Sequence, residues 1–535
     1  MNENQQNPYN QHPQGEQMPP SAPIPPQMGM PMRPRRRMTW RERLFAGNTG
    51  RPLTIQQERT IPNWLTGKAA IFFFVAILAC WFAFGYVPAF ELYMASMLSV
   101  VLFFYGGKNM AQSWSREKEK VFLRNVFVVG LVARLLWVLY CYFFFNFDHY
   151  GHVYGDDADT GWYMGFAKDL TQWLSGNSKY SLSKIIDMND AAIDDTGYPM
   201  WLGFVYLIVG VNNDVFVPFV LKCILNAACA ILIYHVAKRH FDEGVARMAA
   251  LFVALNPNMI YWCGNMFKES EMVFLCCLCV DLVDKTFTAR SKLTFRSLLP
   301  GILAGTVLFF FRSALAVVIF LAMFAHIVMA SGRVMSMGKK IIAGALVGIT
   351  LLVGIGNQLR SQTQYFMDSA QSDAQQKNME WRSTRKDGGN SFAKYAGKAV
   401  FAPLIFTIPF PTFNQAEVGQ MLQVQLSGGS YIKNVFSYFV IYVMIMMLIT
   451  GEWRKHVFIL AYTAGYLASL ALSQFAQSGR FHMPVIPMLM LFAAYGIQIA
   501  KTNAKLRKWF PIVLVLEVVA CLAWNWFKLK GRGMI

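Results

Sequence analysis

Charge is scarce in this 535-residue sequence: Asp, Glu, Lys and Arg make up 15% of it, against about 25% in an ordinary soluble domain. Acidic residues are scarcer still, 30 against 49 Lys and Arg, for a net charge of +19. In a soluble protein that excess points to nucleic acid, but no recognition motif for nucleic acid is present. The Lys and Arg fall mostly in short segments between apolar runs, where they orient membrane helices instead. Nucleic acid is therefore not an expected partner. Cysteine is present only in or beside apolar segments, and Cys276-x-x-Cys279 has no second pair. That argues against a disulfide framework and against a zinc site. The metalloprotease, nucleophile-elbow, Walker A and EF-hand patterns are all missing.

Residues 1–36 lack the apolar core of a signal peptide and are rich in Pro, Gln, Asn and Met. Such a composition buries no core, so residues 1–60 are predicted to be a disordered basic cytoplasmic tail. Arg33, Arg35, Arg36 and Arg37 would hold it near anionic lipid.

What the sequence has in abundance is long apolar runs, with 55% hydrophobic residues overall. Stretches near the roughly 20 residues needed to cross a bilayer recur at 69–87, 123–145, 215–237, 246–263, 269–287, 432–450, 455–473, 482–500 and 510–527. The reading is an all-α polytopic membrane protein of about 12 transmembrane helices, residues 61–535, in the cell membrane with its N-terminus cytoplasmic. A hairpin at 69–87 and 89–106 returns the chain to Lys108, Arg116, Lys118 and Lys120, as the positive-inside rule requires. The first outer loop, 146–214, is acidic: between 146 and 197 it holds nine Asp against three Lys.

The short apolar piece 198–211 is read as a membrane-surface or half helix. If it crossed, Lys238, Arg239, His240 and every later basic turn would fall on the wrong side. The proline-broken stretch 399–412 is read likewise as re-entrant, inside a second outer segment at 357–430.

Ionisable residues at the ends of apolar helices are costly and usually purposeful. On this topology Lys222, Lys268, Glu269, Glu271, Arg312, Arg480 and His482 converge on the outer face, level with Asp156, Asp157 and Asp159. Glu91 and Glu517 read as structural. Cations of this kind suit a lipid-linked phosphate. A carboxylate among them can take a proton from an attacking hydroxyl.

Four features carry a family resemblance. Asp159-x3-Tyr163-x3-Ala167 opens the first outer loop, and Gly197-Tyr198-Pro199-Met200-Trp201 leads into the short helix. Lys222 begins a helix that ends at Lys238-Arg239-His240, followed by Asn256-Pro257 and Lys268-Glu269. Last comes Gly479-Arg480-Phe481-His482-x-Pro484 before Ala-Ala-Tyr-Gly at 493–496. Together these resemble the GT-C class of polyprenyl-phosphate-sugar glycosyltransferases, which includes protein O-mannosyltransferases and the aminoarabinose transferase acting on lipid A. The resemblance covers roughly 125–290 and 475–500.

It implies sugar transfer from a polyprenyl-phosphate donor to a lipid, glycan or protein acceptor at the extracytoplasmic face. Asp159 is the first choice for the base, then Asp157, then Asp156. Lys222, Arg480 and Lys268 would hold the phosphate, and Glu269, Tyr163, Tyr198 and His482 would position substrate. The Asp cluster permits a divalent cation without demanding one, and no metal ligand is assigned. A transporter or flippase of lipid-linked glycans is the alternative reading, with charges near the membrane and broken helices of the same sort.

Overall fold

The computed structural model describes residues 53–85, 90–155, 157–210, 216–289, 294–329, 410–413, 418–472 and 478–531. All of these fall in one compact unit, Phe45–Ile535. Residues 1–52 of the expected tail lie outside the described residues. So do most of the expected outer segment 357–430 and of the stretch 399–412.

The described residues are helical throughout, without strands. A short helix α1 (Ile55–Arg59) leads into α2 (Asn63–Phe84). Next come α3 (Phe90–Ser113) and α4 (Glu119–Tyr150), each with one π-helical turn. The surface pieces follow: α5 (Asp157–Leu174), α6 (Leu182–Met188) and α7 (Gly197–Val209). The central helices are α8 (Phe216–His240), α9 (Glu243–Leu255), α10 (Pro257–Tyr261) and α11 (Glu269–Thr288). Then come α12 (Phe295–Phe311) and α13 (Ser313–Met329). The chain closes with α14 (Val418–Thr450), α15 (Val457–Leu472), α16 (Ile486–Thr502) and α17 (Ala504–Gly531).

Among the described residues, seven helices are long and apolar enough to cross a membrane: Ile55–Phe84, Phe90–Ser113, Glu119–Tyr150, Phe216–His240, Gln425–Thr450, Gly479–Thr502 and Ala504–Lys530. That is the build of a polytopic membrane protein. α7, α12, α13 and α15 are apolar but shorter. The 13-residue α7 is the short helix expected at 198–211.

Three expectations need correction. The apolar run 246–263 is not one helix. Pro257 disfavours helical geometry at Asn256, whose side-chain oxygen instead caps the next helix, accepting from the Asn258 and Met259 amides at 3.0 and 3.3 Å. The helix expected at 432–450 starts much earlier, at Val418, so the outer segment does not extend to 430. The tail does not reach residue 60 either. Thr54 begins a capping box, and Arg59 bonds Glu243 at 2.7 Å and the Ser115 carbonyl at 3.0 Å.

α9 is the hub of the packing, buried at every position from Gly244 to Leu255 between α8, α16 and α4. Arg134, fully buried on α4, ties these elements together. It donates to Asn226 Oδ1 at 2.9 Å and to the Gly130 and Ala254 carbonyls at 2.8 Å. Cations suit the free carbonyls at a helix C-terminus, and Ala254 lies in the last turn of α9. All nine cysteines are buried and free.

Candidate functional site

The site forms at the end of the bundle where α8, α11, α13 and α16 begin. Three backbone breaks put polar groups there. After α10, a 3-10 turn and extended Asn265 carry the chain to Lys268, so α11 begins with Glu269 in its first turn. α12 stops at Arg312, whose extended backbone lets α13 start at Ser313. Gly479–Val485 is a 3-10 segment containing Pro484, which places Arg480 ahead of α16.

Arg480 is the centre. Its Nε donates to Glu269 Oε1 and its Nη1 to Asp159 Oδ2. The guanidinium also lies 4.2 Å from the centroid of the Phe267 ring. Glu269 is wholly buried, and its Oε2 has no hydrogen-bond partner among the described residues. The Asp159 side chain is 48% exposed and Arg480 18%. One carboxylate therefore faces inward, while the other opens to the surroundings.

Lys268 pairs with Asp195 beside this triad and lies 5.9 Å over the Tyr163 ring. Burial pushes its ammonium down to about 7, helped by Arg312 and opposed by Glu269. Asp194, next along the chain, accepts from Ser313 Oγ at 2.6 Å. Arg312 sits 4.2 Å over the Phe481 ring. Burial and the Glu269 charge push the Tyr163 phenol up, which keeps it a neutral donor at physiological pH. Tyr163 and Tyr198 meet edge to face at 5.0 Å.

The structure brings together Asp159, Glu269, Lys268, Arg480 and Tyr163. Three expected residues do something else. Lys222 reaches no open space: its ammonium donates to the Asn265 and Phe267 carbonyls at 2.7 and 2.5 Å and to Tyr198 Oη at 3.4 Å. Glu271 lies 3.8 Å away. Lys222 thus clamps the turn that delivers Lys268 and Glu269, and Tyr198 is its buried partner. His482 is buried against Lys433 of α14, with Nδ1 3.4 Å from the ammonium. Asp156 lies outside the described residues. Asp157 starts α5 on its backbone.

Asp194, Asp195 and Ser313 went unremarked as site residues. Asp194 and Asp195 immediately precede the Thr196-Gly197-Tyr198-Pro199 segment, and that adjacency was the available signal. Gly197 lets the segment dock, because a Cβ there would lie 2.6 Å from Phe311 Cδ2 and 2.8 Å from the Phe310 backbone. Among the described residues, no group of three or more His, Cys, Asp or Glu could hold a metal ion.

No family model, curated protein or solved structure matches the chain.

Proposed function

We propose that the chain is a membrane glycosyltransferase of GT-C type, with about 12 crossings. It would move a sugar from a polyprenyl-phosphate donor to an acceptor at the extracytoplasmic face. The observation that carries this reading is the Asp159–Arg480–Glu269 triad. An open carboxylate and a buried one share a single guanidinium, with a second cation, Lys268, alongside.

In this reading the exposed Asp159 carboxylate takes the proton from the acceptor hydroxyl as the oxygen attacks the anomeric carbon. The carbon–oxygen bond to the polyprenyl phosphate breaks, and the phosphate leaves with the bonding pair. Arg480 has given only its Nε and one Nη1 hydrogen to carboxylates among the described residues, so the Nη2 edge of its fork is available to that phosphate. Lys268 adds a point charge. Both are fixed before reaction, so they stabilise charge as it develops. Glu269 anchors the guanidinium from the dry side, and Lys222 holds the turn. The apolar grooves between helices take the lipid chain.

The test is sugar transfer from synthetic polyprenyl-phosphate sugars by the purified full-length protein, comparing wild type with Asp159→Asn. Loss of transfer with retained donor binding supports the reading. Wild-type protein that neither binds nor turns over any donor, yet moves lipid-linked glycan between leaflets, replaces it with a flippase.

A further inference from the structure

A second polar constellation lies away from the triad. α3 and α4 splay to leave a groove of about 830 Å³, floored by α10 and the start of α14. Its length, from Glu91 to Met110 along α3, is about 28 Å at 1.5 Å per residue, close to the roughly 30 Å of a hydrocarbon core. The walls are apolar, and Leu136 and Leu98 are well exposed along them.

The mouth is not apolar. Glu91 opens α3, while Asp148 and His149 close α4, and all three line the groove at that end. Neither carboxylate has an ion-pair partner among the described residues, and no Lys or Arg lines the groove. His149 donates from Nδ1 to the Phe145 carbonyl at 2.9 Å, so in the neutral ring its Nε2 is an acceptor.

Below the mouth, Gln425 of α14 also lines the groove. It is only 5% exposed, and neither its amide oxygen nor its nitrogen has a partner among the described residues. A buried amide left unsatisfied is expensive, and its position here calls for a group from outside the chain.

We propose that this groove is a binding site for a lipid with a primary-amine headgroup. The ammonium sits among Glu91, Asp148 and His149, all acceptors. The glycerol ester region meets Gln425, whose nitrogen donates to an ester carbonyl, and the acyl chain lies along the α3–α4 groove. Two unpaired carboxylates repel a lipid whose head is only anionic, so the site is selective by charge. This site does not rest on the sugar-transfer reading, and it shares no residue with the Asp159–Arg480–Glu269 triad.

The test is native mass spectrometry of the full-length protein released from vesicles of equal phosphatidylethanolamine and phosphatidylglycerol. Wild type retains one lipid, with the amine lipid favoured by about tenfold, a discrimination of the size two charge contacts supply. The Glu91→Gln/Asp148→Asn double variant, altered only at exposed positions, loses that preference. Leu136→Trp fills the groove and loses the retained lipid of both kinds. Equal retention of the two lipids by wild type overturns the proposal, as does a preference that survives either variant.

Discussion

Arg480 and Asp159 are 321 residues apart in the chain, yet the guanidinium of one donates directly to the carboxylate of the other. The same guanidinium spans to Glu269, which is fully buried. A planar fork can hold two carboxylates at once, and an ammonium on a flexible stem cannot do so with the same geometry.

Arg480→Met therefore strands the Glu269 carboxylate without its partner, at a cost of about 3–5 kcal/mol. Arg480→Met/Glu269→Gln removes both charges and recovers much of that stability. Thermal unfolding in detergent reads the difference, and the cycle fails if the double variant is no more stable than the single one. Neither variant should transfer sugar. Arg480→Lys keeps the charge but should still lower turnover by about 10²-fold, the usual effect of removing one oriented donor.

Lys222→Met tests the clamp. Removing the ammonium leaves the Asn265 and Phe267 carbonyls without their donor inside the protein and Glu271 without its cation. The expected loss is about 3–5 kcal/mol of stability. If Lys222 instead touched a phosphate, the variant would fold normally and show only weaker donor binding.

Lys268 makes anion binding depend on pH. With its ammonium pushed down to about 7, it is charged below that pH and neutral above it. Affinity for polyprenyl phosphate should fall as pH rises through 7, and Lys268→Arg should flatten the profile. Binding measured between pH 6 and 8.5 reads this directly. A wild-type profile as flat as that of Lys268→Arg would remove Lys268 from the binding site.

Gly155 tests how tightly the first loop is held against the turn before α11. Its φ of +94° suits glycine, and a Cβ there would stand 2.2 Å from Asn265 Oδ1. Gly155→Ala should push Asn265 away, disturb the Met266 N–H to Tyr154 carbonyl bond of 3.1 Å, and shift Asp159 off Arg480. The expected outcome is a turnover loss of at least about tenfold with a stability loss of about 1–3 kcal/mol. Unchanged turnover would mean the two segments are not coupled.

Much of the site was legible because charges in apolar helices are costly. That cost singled out Lys268, Glu269, Arg312 and Arg480 without any contact information. The short helix at Gly197–Val209 was legible as an apolar run too short for a span. What hydropathy does not encode is which way a buried ammonium turns. Lys222 resembled a phosphate ligand because its position in the helix was right, while its partners are backbone carbonyls, which no side-chain pattern announces. His482, expected to position substrate, is the same case, since its neighbour Lys433 lies on a helix brought alongside only by tertiary packing. The run 246–263 misled for a different reason. Its apolar length was sufficient for a span, but Asn256-Pro257 punctuates it, and a helix buried on all sides shows the same hydropathy as one facing lipid.

The burial of α9 has a bearing on how the chain is made. Residues 243–255 are covered by α16, which begins at residue 486, and Asn256 reaches Met490 at 3.7 Å. During synthesis that helix emerges long before its cover exists and must shelter in lipid or against α8 meanwhile. Arg480 arrives with the same late segment, so Glu269 spends that interval without its cation. The charge triad thus comes together only once residue 480 has been made, 321 residues after Asp159 and 211 after Glu269.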